Sequence, residues 1–336
     1  MTYKRILITG GTGFLGQHLI FLLRKKYPSS LITVIDLKVN PYPVHDVKKI
    51  NDVTVMFPVN ICLDPLDEYF KQTDLVYHLA GLVSFSKKDR KPLFLVNEQG
   101  SKRVFEACLK NRVKKVVHIS SVAGIGYLDR VDHLADENIS FPWAGIKDKY
   151  YMLSKHASEK MALSFFKKGL DVTIANPGLM YGPGDYFNSV TLIRNIKKRK
   201  LPFLLPGGTN VVDVRDVARG LVMMEKGKPG ERYILGGENL TFRQITDTII
   251  TILKIKNYTV PVLSHRYRTI LVPLISFLET VLPIRLPVTK DLVDSGFKFR
   301  YFTSAKAQNE LGFKPRFSFS KTIADTIKYL KGYDLL

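Results

Sequence analysis

Tyr3-Lys4-Arg5-Ile6-Leu7-Ile8-Thr9-Gly10-Gly11-Thr12-Gly13-Phe14-Leu15-Gly16 is the stretch that decides how this chain is read. Its first seven residues predict a short apolar strand, and Gln17 to Lys26 predicts a helix straight after the glycines. A strand, a glycine turn and a helix start together make an anion cradle. Unpaired N–H groups at a helix N-terminus and the helix dipole both favour negative charge there. Glycine lets the backbone come close to a pyrophosphate. The expected ligand is a dinucleotide, held by Gly10, Thr12, Gly13, Phe14, Leu15 and Gly16. Leu31 to Ile35 reads as a second strand ending on Asp36. A carboxylate at that place accepts hydrogen bonds from the adenosine ribose and repels a 2′-phosphate. Asp36 therefore favours NAD, while Lys38 softens the choice and leaves NADP as an alternative. The competing reading makes Asp36 an ordinary turn residue at a strand end.

The alternation continues. Val53 to Phe57, Leu75 to Leu79, Val116 to Ile119 and Val172 to Ala175 read as strands. Asp64 to Phe70, Asn97 to Lys110 and Lys147 to Lys168 read as helices between them. Repeated βα units with nearly continuous apolar strands predict an α/β fold, a parallel sheet covered on both faces. After Pro177 proline and glycine become frequent, which predicts a smaller lobe over 178–336 beside a dinucleotide-binding domain over 1–177. Returns to the main sheet are expected near 210–237, at Asn210 to Asp213 and at Arg232 to Leu235. Ligands of open α/β sheets bind at the carboxyl ends of the strands, so the cleft between the two parts is the expected site.

Composition bounds the rest. The 336 residues are 45% hydrophobic and 24% charged, ordinary values for a globular chain. The apolar start reads as the first strand rather than a leader, and Cys62 and Cys108 lack metal or redox-pair spacing, so a cytoplasmic location and no metal are expected. The net charge of +21 comes from lysine clusters such as Lys87-Lys88, Lys110 to Lys115, Lys167-Lys168 and Lys197 to Lys200. No aromatic-interleaved basic stripe accompanies them, so nucleic acid is not expected. They read as a solvated surface or as attraction to an anionic membrane or substrate. The apolar, proline-broken segment 266–286 has two readings, a lid or core helix over an apolar substrate and a peripheral membrane contact.

Tyr151-Met152-Leu153-Ser154-Lys155 places a phenol and an amine four residues apart, on one face of a predicted helix. An adjacent ammonium is expected to lower the phenol pKa and make Tyr151 a usable proton donor or acceptor. The fifth strand ends in Ser120-Ser121, at the sheet edge where the cofactor belongs. Ser121 is positioned to hydrogen-bond a substrate carbonyl; Ser120 reads as structural. His78 reads as a core residue, Tyr150 as packing or substrate wall, and Asp213 and Asp216 as loop and cap residues. Trp143 reads equally as a substrate-entrance residue or a surface loop anchor.

With these motifs in order, the chain resembles the extended short-chain dehydrogenase/reductases, a family related to NAD-dependent epimerases and dehydratases. Thr9 to Gly16, His78-Leu79-Ala80-Gly81, Val96-Asn97, Ser120-Ser121, Tyr151 to Lys155, Pro177 to Pro183, Val212 to Ala218 and Ser304 to Phe313 carry the resemblance. It implies a Rossmann-type doubly wound fold with a C-terminal substrate lobe. It implies Ser121, Tyr151 and Lys155 as catalytic residues, with Tyr151 and Lys155 also touching the cofactor. It further implies cofactor contacts from Asn60, Ile61, Leu79, Ala80, Gly81, Asn97, Pro177 and Gly178, and a homodimer formed through two long helices. Asn60 stands where the family often has an aspartate. Leu179 stands where many sugar-nucleotide enzymes carry asparagine, so Asn176 to Asp185 is most similar to the 3β-hydroxysteroid dehydrogenase and dihydroflavonol reductase branch. The function implied is interconversion of a secondary alcohol and a ketone on an apolar small molecule. The alternatives are a sugar-nucleotide epimerase or dehydratase and a non-catalytic dinucleotide sensor.

Overall fold

The computed structural model describes residues 3–186, 188–282, 286 and 288–336. Its larger sheet contains β1 (Arg5–Thr9), β2 (Leu31–Ile35), β3 (Val53–Met56), β4 (Leu75–His78), β5 (Lys115–Ile119) and β6 (Val172–Pro177). Three further strands follow in the chain: β7 (Leu179–Tyr181), β8 (Gly208–Asp213) and β9 (Arg232–Leu235). β10 (Glu238–Thr241) and β11 (Phe299–Arg300) complete the set. The larger sheet runs β3-β2-β1-β4-β5-β6-β9 with every pair parallel. Strand order reverses between β1 and β4, which opens a crevice beyond their carboxyl ends.

Both faces of that sheet are covered, so its strands need apolar side chains on both sides. Ile6, Leu7, Ile8, Val76, Tyr77, Val116, Val117 and Ile174 are all buried. Leu19, Ile20 and Leu23 of the Phe14–Lys26 helix pack on one face with Val217 and Leu221 of the Val214–Met223 helix. Val104, Phe105, Ala162 and Phe165 pack on the other, from the Ser101–Lys110 and Tyr150–Phe166 helices.

The Arg232–Leu235 return is observed as β9. The return expected at Asn210 to Asp213 is not: this strand, β8, is the centre of a separate sheet. It pairs with β10 antiparallel and with β7 and β11 in parallel. Its burial signature is the same in either sheet, so only the long-range partners decide. Helices Asn188–Lys197, Phe242–Ile252 and Phe319–Gly332 enclose the core of this lobe, where Ile193, Ile249 and Ile323 are fully buried.

Two helices differ from expectation where function is concerned. The first begins at Phe14, so Gly16 lies inside it. The expected Asn97–Lys110 helix is in two parts, a π-helical stretch at Leu95–Gly100 and the Ser101–Lys110 helix, and an α turn at Arg90–Phe94 precedes it. The wide turn coincides with the seat of Asn97, whose amide is tied to the loop after β4. Among the described residues no helix is long and apolar enough to cross a membrane.

Candidate active site

The glycine turn has the geometry of a phosphate cradle. Gly10 has φ +71°, and a Cβ there would lie 2.7 Å from the Ala80 backbone nitrogen. A Cβ on Gly16 would lie 2.3 Å from the Gly11 carbonyl oxygen, so helix and turn approach at a distance only glycine permits. Gly13 caps the helix without a side-chain hydrogen bond, and the first turn carries no acid. Its N–H groups and dipole are therefore available to an anion. Asp36 is fixed beside them. Its carboxylate accepts from the Thr12 backbone N–H at 3.0 Å and the Thr12 hydroxyl at 2.7 Å, and its other oxygen accepts from Leu37 N–H at 2.8 Å.

A cavity of about 640 Å³ starts at this turn and runs into the smaller lobe. Thr12, Gly13, Phe14, Leu15, Asp36, Ser121, Tyr151, Pro177 and Gly178 all line it. These backbone and carboxylate groups suit NAD, because they pair an uncapped helix start with an acceptor for ribose hydroxyls. Gly10 and Gly16 support the turn from behind. Leu79, Ala80 and Gly81 follow β4, and a Cβ on Gly81 would sit 3.2 Å from both Asn97 Oδ1 and Lys155 Nζ. Asn60 and Ile61 lie elsewhere. The Asn60 side chain accepts from Cys62 N–H at 2.9 Å, closing its own turn, and Ile61 is buried against Gly100. Neither lines the cavity.

Tyr151 and Ser121 both line the cavity, and the Ser121 hydroxyl acts on the phenol in the sense that favours its ionised form. Ser121 also caps the short Val122–Ile125 helix, accepting from Ala123 N–H at 3.2 Å. Phe85 packs edge-on against the Tyr151 ring at 5.5 Å. Lys155 is buried behind them, with Nζ donating to the Ile119 carbonyl at 3.2 Å. The expected lowering of the tyrosine pKa is corrected here. Burial raises the Tyr151 phenol above its ordinary value, opposed only by the Ser121 hydroxyl. Burial also brings the Lys155 amine down to about 8, with Glu159 acting the other way. Desolvation outweighs charge at both groups.

His78 is buried, its ring bonded to the Thr9 and Ser101 hydroxyls. Tyr150 lies under the Arg90 guanidinium, away from the cavity. Trp143 is exposed and packs on Phe141 and His156, which makes it a loop anchor. Asp213 caps the Val214–Met223 helix, and Asp216 accepts from the Arg316 and Phe317 backbone. Lys115, from a lysine cluster read as solvated surface, is buried and paired with Asp171 at 2.7 Å. In segment 266–286, Arg268–Val281 is a helix with Pro273 inside and no buried residue, so it is not a core helix; Pro283, Ile284 and Arg285 lie outside the described residues.

The pattern of the NAD dependent epimerase/dehydratase family matches residues 6–236. The chain belongs to that family. Within it, the chain is an extended short-chain dehydrogenase/reductase and an enzyme. It is 29% identical to a putative dihydroflavonol 4-reductase of Synechocystis, over 97% of this chain and 94% of that protein. It is 30% identical to sterol demethylase protein B of Methylococcus capsulatus, over 71% of each. It is 25% identical to the mouse sterol-4-alpha-carboxylate 3-dehydrogenase, decarboxylating, over 97% and 90%. The crystal structure of gox2253 superposes with TM-score 0.82 at 27% identity, covering 99% of both chains. The Streptomyces venezuelae dTDP-glucose 4,6-dehydratase DesIV, solved with NAD bound, has the same fold at TM-score 0.77 and 22% identity, covering 98% and 97%.

In this epimerase/dehydratase-family member, three supporting residues escape any motif reading. Glu159, two helical turns beyond Tyr151, is buried and accepts from the Ser120 hydroxyl at 2.5 Å and from Asn176 Nδ2 at 2.6 Å. Asn176 also donates to the Ser121 carbonyl at 2.8 Å, so the strand end carrying Ser121 is fixed from β6. The third is Arg300, on β11, which lines the far side of the cavity. A polar residue at i+4 from Lys155 is the one signal in the sequence that points to Glu159.

Proposed function

We propose that the protein interconverts a secondary alcohol and a ketone on an apolar small molecule, with NAD as the preferred cofactor. The observation that carries this is that Tyr151 and Ser121 line the same cavity as the uncapped glycine turn. Bound NAD supplies or accepts the hydride. Tyr151 transfers the proton at the substrate oxygen, and Ser121 holds that oxygen against the phenol. Lys155, still largely protonated at neutral pH, adds positive charge beneath the site and is expected to bind the nicotinamide ribose. Tyr151's raised pKa keeps the phenol protonated at neutral pH, as reduction of a ketone requires.

Val83, Phe85, Leu179, Met180 and Phe302 give the cavity apolar walls. Leu179 offers no polar contact to a nucleotide diphosphate, which supports the alcohol–ketone reading over the epimerase. The test is Tyr151→Phe, assayed by NADH formation from 3-hydroxysteroids and long-chain secondary alcohols. Turnover should fall by about 10²- to 10⁴-fold with NAD affinity nearly intact. Near-normal turnover in this variant would overturn the mechanism. Balanced interconversion of sugar nucleotides without release of NADH would restore the epimerase reading.

The Arg268–Val281 helix supports a further part of the proposal. Ile270, Leu274, Phe277 and Val281 are exposed and fall at spacings of four, three and four, one face of a helix. Arg266 is exposed just before the start of that helix. An apolar stripe with a cation at its start fits an anionic lipid surface, from which an apolar substrate would be drawn.

A further inference from the structure

Among the described residues, the far wall of the cavity holds a guanidinium that forms no ion pair of its own. Arg300 sits on β11, in register with Thr209 of β8, and both residues face the same cavity as Tyr151. Among the described residues its Nε is buried without a hydrogen-bond partner, and the guanidinium makes no hydrogen bond or ion pair. The rest of the side chain is part-exposed toward the cavity, and a buried polar atom left without a partner is costly. Such a group persists where something else satisfies it.

The neighbouring carboxylates are already taken. Asp294 lies 2.7 Å from Arg268 and 2.8 Å from Lys149, and Lys298 approaches it at 4.0 Å. Burial pushes the Asp294 carboxyl up, but these cations more than offset it and leave it below the ordinary carboxylate range. Asp291 is held by Lys149 at 3.1 Å and accepts from the Ser295 hydroxyl at 3.0 Å. Asp129 pairs with Lys298 at 3.8 Å. Four cations, Lys149, Arg268, Lys298 and Arg300, thus face three carboxylates, and the surplus charge is the one that opens on the cavity.

We infer that Arg300 binds a single carboxylate carried by the substrate. The inference rests on the proposed alcohol–ketone reading of the same cavity, to which it adds an acidic group on the apolar molecule. The balance argues against a diphosphate, whose two charges would meet one free cation and the carboxylate of Asp291, which lines the same cavity. A guanidinium fork matches a carboxylate with two parallel hydrogen bonds, which fixes orientation as well as charge. Arg300 would then decide specificity without touching the reacting carbon.

The test uses two probe pairs, lithocholic acid and 3-hydroxyhexadecanoic acid, each beside its methyl ester, titrated calorimetrically into NAD-loaded protein. The wild type should bind at least one acid about 10- to 100-fold more tightly than its ester, the range expected of a charge-assisted pair. Arg300→Gln should bring acid and ester level with NAD affinity unchanged, and Arg300→Lys should recover part of the preference. Equal binding of acid and ester by the wild type, or a preference that survives Arg300→Gln, would overturn the inference. So would Arg300-dependent binding of UDP-glucose or dTDP-glucose with both acids ignored. Oxidation of the esters, abolished by Tyr151→Phe, reports the underlying alcohol–ketone reading separately, so either can fail without the other.

Discussion

The two walls of the cavity are built in opposite ways. The wall at the glycine turn is mostly backbone: Thr12, Gly13, Phe14 and Leu15 present a helix start, and Gly10 and Gly16 serve by lacking a side chain. The opposite wall is side chains gathered from distant parts of the chain, among them Tyr127, Leu179, Ser295, Arg300 and Phe302. One wall has the form that suits a dinucleotide, and its requirements fit in sixteen consecutive residues. The other recognises what is particular to this protein, and no short stretch contains it.

If that contrast is right, the backbone wall should fail abruptly and the side-chain wall by degrees. The largest effect is expected at Gly16. A side chain there meets the Gly11 carbonyl, a backbone atom that cannot turn aside. Gly16→Val should cost about 3 kcal/mol or more through overpacking, seen as a lower Tm and loss of NADH binding. A variant with wild-type Tm would show that the turn tolerates what its geometry forbids. Asp36→Ala should act next. It removes the acceptor for the ribose hydroxyls and the repulsion of a 2′-phosphate, so the preference for NADH over NADPH should shrink by about tenfold or more, a charged hydrogen bond being worth about 1.5–3 kcal/mol. Unchanged NADH and NADPH affinities would place the adenosine elsewhere. The smallest effect should come from the exposed helix. Phe277→Asp should reduce co-sedimentation with phosphatidylserine vesicles at low salt and leave NADH binding and Tm intact. Wild-type protein that ignores such vesicles would remove the membrane proposal altogether.

The same contrast explains what could be read in advance. The order of βα units and the glycine turn were legible because periodicity and spacing are local properties. Tyr151 and Lys155 were legible as a pair because one helical turn joins them, and Ser121 because a strand end points at the crevice. The sheet membership of Asn210 to Asp213 was not, since β8 has the burial of a central strand and only its partners distinguish the two sheets. The protonation of Tyr151 was misread for a related reason: helical spacing reports the neighbouring amine but not the desolvation that outweighs it. Asn60 matched a family position, yet its side-chain oxygen closes its own turn and the residue does not line the cavity. Arg300 carries no local signature, because its significance depends on which carboxylates its neighbours have already claimed.

The wide turn at Leu95–Gly100 has a consequence for how this chain can change its length. Asn97 Oδ1 accepts from Leu82 N–H at 2.8 Å, and its Nδ2 donates to the Ser154 hydroxyl at 2.9 Å, joining the β4 loop to the helix that bears Tyr151. A few residues later Val104 and Phe105 are sunk in the core. Each helical residue turns the chain by about 100°, so losing one residue between them would swing either Asn97 out of its seat or Val104 and Phe105 out of theirs. Insertions and deletions are therefore shut out of this stretch, whereas the loop 130–134, which carries exposed Val131 and Leu134, can accept them.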